Sequence, residues 1–318
     1  MIRNRKIDKT ILIALIASSV LCLVAAVAGG MISSQRVGYY SEKSSSVYIS
    51  SASDLETLGV AVYNDHVYLT KDITINDPNQ RIGNDKLPFE GVFDGQGHTI
   101  HFTFSGATED TSFFDHIAPG AIVRNVNFVF DDITVNGASF GGIAKINDGT
   151  IENCKLVYNS LSVSKAGMFS PLVTINRGDI SNVVVSGDLI GIFSEDNEGK
   201  VFFGNVCVYN AGNVSGAIVS AKYVGIPCTD ALNIAKGTAQ NIGISAVRYS
   251  DIDRGQMQQT VAIIPDGQYT VDKTSGVEFA KADSVYSNEK VFSMLDFDNQ
   301  YWRIDGLDLN LMVTGKRQ

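Results

Sequence analysis

Hydrophobic and polar residues follow a short pattern that returns five times along the chain. Each copy reads apolar, any residue, Asn, apolar, any residue, apolar. The copies are VRNVNF (123–128), IENCKL (151–156), ISNVVV (180–185), FGNVCV (203–208) and AQNIGI (239–244). Their asparagines are Asn125, Asn153, Asn182, Asn205 and Asn241, separated by 28, 29, 23 and 36 residues. Repeats of this length are typical of solenoids, in which each coil extends one continuous core.

Aligning the copies gives three apolar columns with mostly polar residues between them, as expected for strands whose side chains alternate in direction. The sequence therefore predicts an all-β fold, a parallel β-helix over about residues 66–250, whose first full coil is FEGVFDGQGHTI (89–100). The repeated Asn is predicted to lie at a bend of each coil. There its amide would bond to backbone and to the Asn above and below.

Both ends of a solenoid expose apolar surface, so caps are expected. Ser53 or Asp54 is a candidate cap residue for a short helix over 55–63, which would cover the first coil. Glycines precede two of the copies, in FGGI (140–143) and AGMF (166–169). They predict a second strand in each coil that is entered through a tight corner.

An uncharged apolar run of 23 residues occupies 10–32, which is long enough to cross a membrane as a helix. Residues 1–9 are basic and predict a cytoplasmic tail, so 10–32 is a signal-anchor, 33–48 a Ser-rich tether, and 49–318 a domain outside the cytoplasmic membrane. A cleaved signal peptide is the alternative, because Ala26-Val27-Ala28 before Gly29 has the form of a cleavage site. Lipidation at Cys22 is a third.

One stretch, FGGIAKINDGTIENC (140–154), resembles the GLUG-type repeat of bacterial surface proteins. That repeat runs Gly-Gly-apolar, a spacer, Asn, then Gly-Thr-Ile, any residue, Asn-Cys. Further similar segments are SASDL (51–55), YLTKDITI (68–75), FEGVFDGQGHTI (89–100) and FSMLDFDNQYWRIDGLDLNLM (292–312). The resemblance implies a right-handed parallel β-helix on the outside of a bacterial cell. Such domains are found in adhesins and beside the catalytic part of some immunoglobulin A peptidases.

The formal charge of −9 combines +3 in residues 1–9 with −12 in the remainder. This distribution argues against nucleic acid as a partner and favours a neutral or basic one. Three cysteines follow the apolar run, and Cys207 with Cys228 is the pairing that the coil spacing leaves open. No phosphate-binding loop, nucleophile elbow or His-Glu-any-any-His motif is present in the sequence, so no cofactor is predicted.

Three carboxylates are candidates for chemistry on polysaccharides. Asp94 lies in the turn Asp-Gly-Gln-Gly-His, and Asp131 with Asp132 follows a predicted strand. Glycoside hydrolysis needs two carboxyl groups that face each other across the sugar bond. The competing interpretation of Asp94 is a purely structural turn between two strands.

Histidines and acidic residues give weaker metal hypotheses. His98, His101 and His116 with Asp115 contain no usable ligand spacing, since His98 and His101 have opposite parity, and no metal is predicted. The acidic stretch 195–198 could hold calcium, but it lacks the regular spacing of a calcium loop, and a solvated loop is favoured.

These observations predict a membrane-anchored, extracellular, non-catalytic module for binding, adhesion or envelope interaction. Its partner would be an extracellular protein or glycan, met by loops of varying length on a constant scaffold. The alternative is a polysaccharide-active enzyme, a hydrolase or lyase, on the same scaffold.

Overall fold

The computed structural model describes most of the chain from Ser46 onward. The described residues are 46–61, 66–84, 86–103, 110–135, 139–163, 168–192, 202–204, 206–224, 241–242, 245–247, 256–263, 270–271 and 277–313. The predicted membrane segment 10–32 and most of the tether lie outside these ranges. Within them, no helix is long and apolar enough to cross a membrane.

Strands dominate the described part of the chain. The first are β1 (Ser46–Ile49), β2 (His66–Leu69), β3 (Ile73–Ile75), β4 (Val92–Asp94), β5 (Thr99–Thr103), β6 (Thr111–Ile117), β7 (Ile122–Asp131) and β8 (Ile133–Val135). The next are β9 (Ser139–Asn147), β10 (Thr150–Tyr158), β11 (Leu161–Val163), β12 (Met168–Ser170), β13 (Val173–Asn176), β14 (Asp179–Ile192), β15 (Phe202–Phe203), β16 (Cys207–Asn210) and β17 (Asn213–Val224).

The remaining elements include all the helical ones. The strands are β18 (Asn241–Ile242), β19 (Ser245–Val247), β20 (Gln256–Ile263), β21 (Thr270–Val271), β22 (Val277–Ala280), β23 (Trp302–Ile304) and β24 (Leu309–Leu311). The helices are α1 (Ala52–Ala61), α2 (Ala282–Val285) and a π-helix (Glu289–Met294).

Two parallel sheets form the body of the domain. The long sheet runs in the order β1-β2-β4-β7-β10-β14-β17-β20-β22, and the second runs β15-β12-β9-β13-β16-β19. The chain alternates between them: β10 lies in the long sheet, β13 in the second, and β14 returns beside β10. The fold is therefore a parallel β-solenoid, which confirms the parallel β-helix that the repeats predict. Its long sheet extends beyond the predicted range at both ends.

The register confirms the first three copies of the pattern. Val123, Ile151 and Ile180 lie opposite one another, as do Val126, Cys154 and Val183. All six are buried. Because a shift of one residue would turn each apolar set outward, the hydrophobic pattern fixes this register.

A left-handed residue within each of the first three copies explains the odd spacing of their apolar positions. The φ angles of Asn125, Asn153 and Asn182 are 54°, 51° and 51°. Asn adopts this region more readily than most residues. The bend shifts the alternation of the strand, so that Ile151 and Cys154, three residues apart, both point into the core. We call these asparagines the bend column.

The fourth copy lies elsewhere than its alignment predicts. Phe203 is opposite Phe169 in the second sheet, whereas the long-sheet neighbour of Ile180 is Val214. The residue that follows Asn182 in the bend column is Gly216, with a φ of 65°. Phe203 therefore lies in register with Phe169 and Phe140 of the second sheet rather than in the repeat. Asn205 itself lies outside the described residues.

The fifth copy is also misaligned. Asn241 lies in β18, which pairs with β21 in a separate two-stranded sheet. The next member of the bend column is Gln259 in β20, with a φ of 48°. The backbone bend thus continues through at least two further coils, but the asparagine does not.

Helix α1 follows the first strand of the long sheet. Its Leu55 and Leu58 are buried. Asp54, in the first turn of the helix, accepts hydrogen bonds from the backbone N–H groups of Ser50 and Ser51, at 2.8 and 2.9 Å. Its carboxylate thus caps the N-terminal end of the helix as one half of a capping box. These hydrogen bonds hold the pKa of Asp54 below its ordinary value.

The C-terminal segment, residues 282–313, packs on the outer face of the long sheet. Outward-pointing Val184, Ile218 and Val261 are buried beneath it. The segment contributes Val285, Val291, Leu295, Phe297, Trp302, Leu309 and Leu311 to this second core. It reaches back to the first coils, where a Cβ atom on Gly97 would lie 2.6 Å from the Cα of Val313. The predicted C-terminal cap over the last coil is thus not confirmed, because this segment covers the side.

Candidate functional site

The Asp94 carboxylate is occupied by contacts within its own turn. Arg124 Nε donates to Oδ2 at 3.0 Å, while Asn125 Nδ2 and the backbone N–H of Gln96 donate to Oδ1 at 3.2 and 2.9 Å. The residue is 8% exposed. These three hydrogen bonds fix the orientation of the carboxylate. The geometry gives Asp94 a structural role in the turn.

Asp131 and Asp132 lie far from Asp94, on the neighbouring coil. Asp94 is opposite Arg124 near the start of β7, while Asp131 is the last residue of that strand. Seven positions separate Arg124 from Asp131, so at about 3.3 Å per residue this separation is on the order of 20 Å. Paired carboxylates of glycosidases are about 5 to 9.5 Å apart. The three candidates therefore do not form a catalytic pair.

The two residues at the end of β7 have local contacts of their own. Asp131 accepts a hydrogen bond from Asn159 Nδ2, and His101 Nδ1 lies 3.6 Å from its other oxygen. Asp132 has a φ of 49° and turns the chain towards β8.

Members of the bend column have different partners in different coils. Asn125 donates to Asp94, whereas Asn153 Oδ1 accepts a hydrogen bond of 3.0 Å from Trp302 Nε1. Asn182 Oδ1 lies against Gly216 of the next coil. The expected stacking of asparagine amides along this column is absent from the described hydrogen bonds.

A second asparagine column, which the sequence interpretation missed, has that stacking. Asn147 Nδ2 donates to Asn176 Oδ1, and Asn176 Nδ2 donates to Asn210 Oδ1, both at 2.8 Å. All three are at most 1% exposed. Their signal is Asn-any-Gly, present as NDG (147–149), NRG (176–178) and NAG (210–212). We call them the buried ladder.

Charged side chains cover the corner beside the buried ladder. Arg177 donates two hydrogen bonds of 2.6 Å to the Asp148 carboxylate, and His116 Nε2 lies 2.8 Å from its Oδ2. Partial burial raises the pKa of Asp148, but the hydrogen bonds from Arg177 and His116 outweigh burial and hold it below its ordinary value. Asp148 in turn raises the pKa of Arg177.

The histidines are dispersed over separate contacts. His98 Nδ1 lies 3.1 Å from Asp72, while His116 belongs with Asp148. No group of three or more His, Cys, Asp or Glu side chains in the described part of the chain could hold a metal ion. The acidic stretch 195–198 lies outside that part.

Two cysteines have contrasting positions in the sheets. Cys154 is free and buried in the long sheet, and burial raises the pKa of its thiol. Cys207 lies opposite Val173 in the second sheet. Its predicted partner Cys228 is outside the described residues.

A polar cleft of about 500 Å³ opens beside β6 and β9. Its walls bring together parts of three coils, namely Arg81, Gly83, Asn84, Asp110, Asp115 and Lys145. Lys145 Nζ lies 3.1 Å from Asp110 Oδ2, and Arg81 Nη1 lies 3.7 Å from Asp115 Oδ1. The backbone hydrogen bond from Asp115 N–H to the Ile82 carbonyl, 3.0 Å long, positions one wall against the other.

A row of mostly polar side chains, of which Tyr48 is the exposed one, follows the outer face of the long sheet at its first coils. Tyr48, Tyr68, Asp94, Arg124 and Glu152 occupy successive register positions. The rings of the two tyrosines stack with their centroids 5.6 Å apart, and Tyr48 is 63% exposed. Further along, Arg124 lies between Asp94 and Glu152.

Comparisons with known proteins add no relative to this picture. No protein-family model matches the chain, and no curated protein or solved structure is significantly similar to it.

Proposed function

We propose that the chain is a non-catalytic binding module held at the outer face of a bacterial cytoplasmic membrane. In this proposal residues 10–32 anchor the chain, residues 33–48 space it from the membrane, and the solenoid meets an extracellular protein or glycan. The GLUG-type resemblance of residues 140–154 and the basic tail support this location. The same resemblance supports a right-handed coil.

The use of the polar side chains is the observation that carries this proposal. Two of the candidate catalytic carboxylates are committed to internal contacts, Asp94 to Arg124 and Asp131 to Asn159. By contrast, the polar cleft and Tyr48 present hydrogen-bonding and aromatic groups at the surface. A rigid scaffold with polar surface sites and no assembled reacting groups is suited to recognition.

A binding and cleavage assay on one sample tests the proposal. The full-length protein would be incubated with bacterial cell-wall polysaccharides, envelope proteins and host glycans, and bound ligand and new reducing ends would be measured. We expect saturable binding without shortening of any polysaccharide. Cleavage that disappears in Asp94→Asn or Asp131→Asn would instead establish the polysaccharide-active enzyme.

The location has its own test. Membrane fractionation followed by mass spectrometry of the N-terminus should find the intact chain in the membrane fraction. A released species that starts at Gly29 would replace the anchor with a cleaved signal peptide.

A further inference from the structure

The polar cleft is lined by a carboxylate, Asp115, that has one oxygen without a hydrogen-bond partner among the described residues. Asp115 is 7% exposed, and its Oδ1 atom is buried without a hydrogen-bond partner within the described ranges. The nearest cationic nitrogen, Arg81 Nη1, is 3.7 Å away and donates to the carbonyl oxygen of Asp110 at 2.8 Å. Buried polar atoms normally have a partner. Oδ1 itself is closed to solvent, so an external donor would meet the part of the Asp115 carboxylate that lines the cleft.

The charges of the cleft balance. Arg81 and Lys145 are cationic, Asp110 and Asp115 are anionic, and Lys145 is paired with Asp110. Such a lining gives a free anion or cation little net attraction. The acidic groups are also too few for a metal site, in agreement with the lack of a metal-binding group among the described residues.

Hydrogen-bond donors and acceptors lie close together in this lining. Asn84 Oδ1 accepts the backbone N–H groups of Lys86 and Leu87 at 2.9 and 3.0 Å, which fixes the side chain and leaves its amide N–H₂ as a donor. Lys145 and Arg81 add cationic donors, and Asp115 adds an acceptor. A hydroxyl group both donates and accepts, so a compound with several adjacent hydroxyls complements this set.

We propose that the cleft binds a neutral, hydroxyl-rich ligand, a sugar unit of a glycan, with one of its hydroxyls donating to the Asp115 carboxylate. This inference rests on the proposed binding function and names the ligand class and the place. The volume of about 500 Å³ is within the usual range for small-ligand sites. Removing the charge of Asp115 should weaken binding, because hydrogen bonds to a charged acceptor are stronger than those to a neutral one.

Titration of defined trisaccharides tests the site. The full-length protein, in a detergent without a sugar headgroup, would be titrated by calorimetry and ligand-observed NMR with cellotriose, tri-N-acetylchitotriose, maltotriose and mannotriose. A trigalacturonate and a glucosamine trimer provide an acidic and a basic comparison. We expect at least one neutral trisaccharide to bind more tightly than either charged trimer.

Substitutions then locate the bound sugar. Asp115→Asn, which preserves the side-chain shape, should lower the affinity at least tenfold. Asp305→Asn is the matched control, because that carboxylate is 68% exposed on the C-terminal segment, and it should bind like the wild type. Lys145→Gln gives a second test at the opposite wall and should also weaken binding, so that misfolding of one variant does not decide the result.

The outcomes separate this inference from the proposed function. Neutral sugar binding that is unchanged in both Asp115→Asn and Lys145→Gln overturns the cleft while supporting a binding module. Preference for trigalacturonate or the glucosamine trimer overturns the neutral ligand class. Binding of an envelope protein without any saccharide overturns the glycan ligand alone, and no binding of any kind overturns both proposals.

Discussion

The bend column and the buried ladder are both rows of three asparagines, yet they differ in what the asparagine supplies, a backbone conformation in one and a side-chain amide in the other. The bend column continues as Gly216 and Gln259, which keep the positive φ without the asparagine side chain. The buried ladder keeps Asn in three successive coils, with ordinary φ and amide-to-amide hydrogen bonds, although Ile117 holds the equivalent position in the coil before them. A backbone conformation can thus be supplied by several residue types, whereas a stacked amide row requires the amide.

The largest expected effect breaks the buried ladder at its centre. Replacing Asn176 by Leu removes both amide hydrogen bonds and leaves Asn147 Nδ2 and Asn210 Oδ1 without these partners in the core. Each of the two atoms keeps one longer hydrogen bond of 3.3 Å, Asn147 Nδ2 to the Asp179 carbonyl and Asn210 Oδ1 from the Gly212 N–H. Because two hydrogen bonds are lost while both groups stay partly satisfied, the free energy of unfolding should fall by about 2–4 kcal/mol. Denaturant titration measures it. A loss below about 1 kcal/mol would show that the ladder is dispensable.

The glycine two positions beyond each ladder asparagine gives the next effect. A Cβ on Gly178 would overlap the carbonyl oxygen of Gly149 in the neighbouring coil. Gly178→Ala should therefore destabilise by about 1–3 kcal/mol through overpacking. Gly120→Ala is the comparison. Gly120 has a φ of 85° and open space around it, so an alanine there would introduce backbone strain without steric overlap. Thermal unfolding of the two variants separates steric overlap from backbone strain.

Two substitutions of Asn182 test whether the bend column depends on the backbone angle or on the asparagine side chain. Asn182→Leu should cost about 1–2 kcal/mol, because a bulky side chain is disfavoured at positive φ. Asn182→Gly should cost much less, since Gly216 already occupies the equivalent position one coil further. Equal losses in denaturant titration would mean that the Asn182 side chain, and not its backbone angle, stabilises the bend.

The smallest effect concerns the charged layer beside the buried ladder. The pKa of Asp148 in the folded protein lies below its ordinary value of 3.8. Its ionised form therefore stabilises the fold above about pH 4, and this contribution is lost as the pH falls through the lower folded pKa. As the pH is lowered from about 5 to about 2, the free energy of unfolding should decline less steeply in Asp148→Asn than in the wild type. Asp305→Asn should leave the slope unchanged.

The sequence predicts the regular coils well because their core requires a fixed register. The first three copies align as predicted, since the apolar residues at positions one, four and six of each copy all face inward around the bend. Prediction failed where the bend lost its asparagine. At Gly216 the pattern has no Asn to mark it, while Phe203-Gly204-Asn205 imitates the motif in a strand of the other sheet.

The candidate site was harder to foresee than the fold. Arg81, Asp115 and Lys145 are separated along the chain and come together only because successive coils stack at one corner. Nothing in their local sequence distinguishes them from other surface charges. The buried ladder was more accessible, since Asn-any-Gly occurs at the same place in three coils. Its glycine reflects the close approach of neighbouring backbones.

The placement of the C-terminal segment constrains the order in which the domain is completed. Coil-to-coil contacts join residues about 30 positions apart, so they can form while the chain is still being synthesised. The contacts from Trp302 to Asn153 and from Lys155 to Asp308 span 149 and 153 positions. Until residues 282–313 have been synthesised, this segment cannot cover Val184 and Ile218 on the outer face of the long sheet. A later part of the chain thus shields an apolar surface built much earlier, and a chain shortened before Trp302 would leave that surface exposed to solvent.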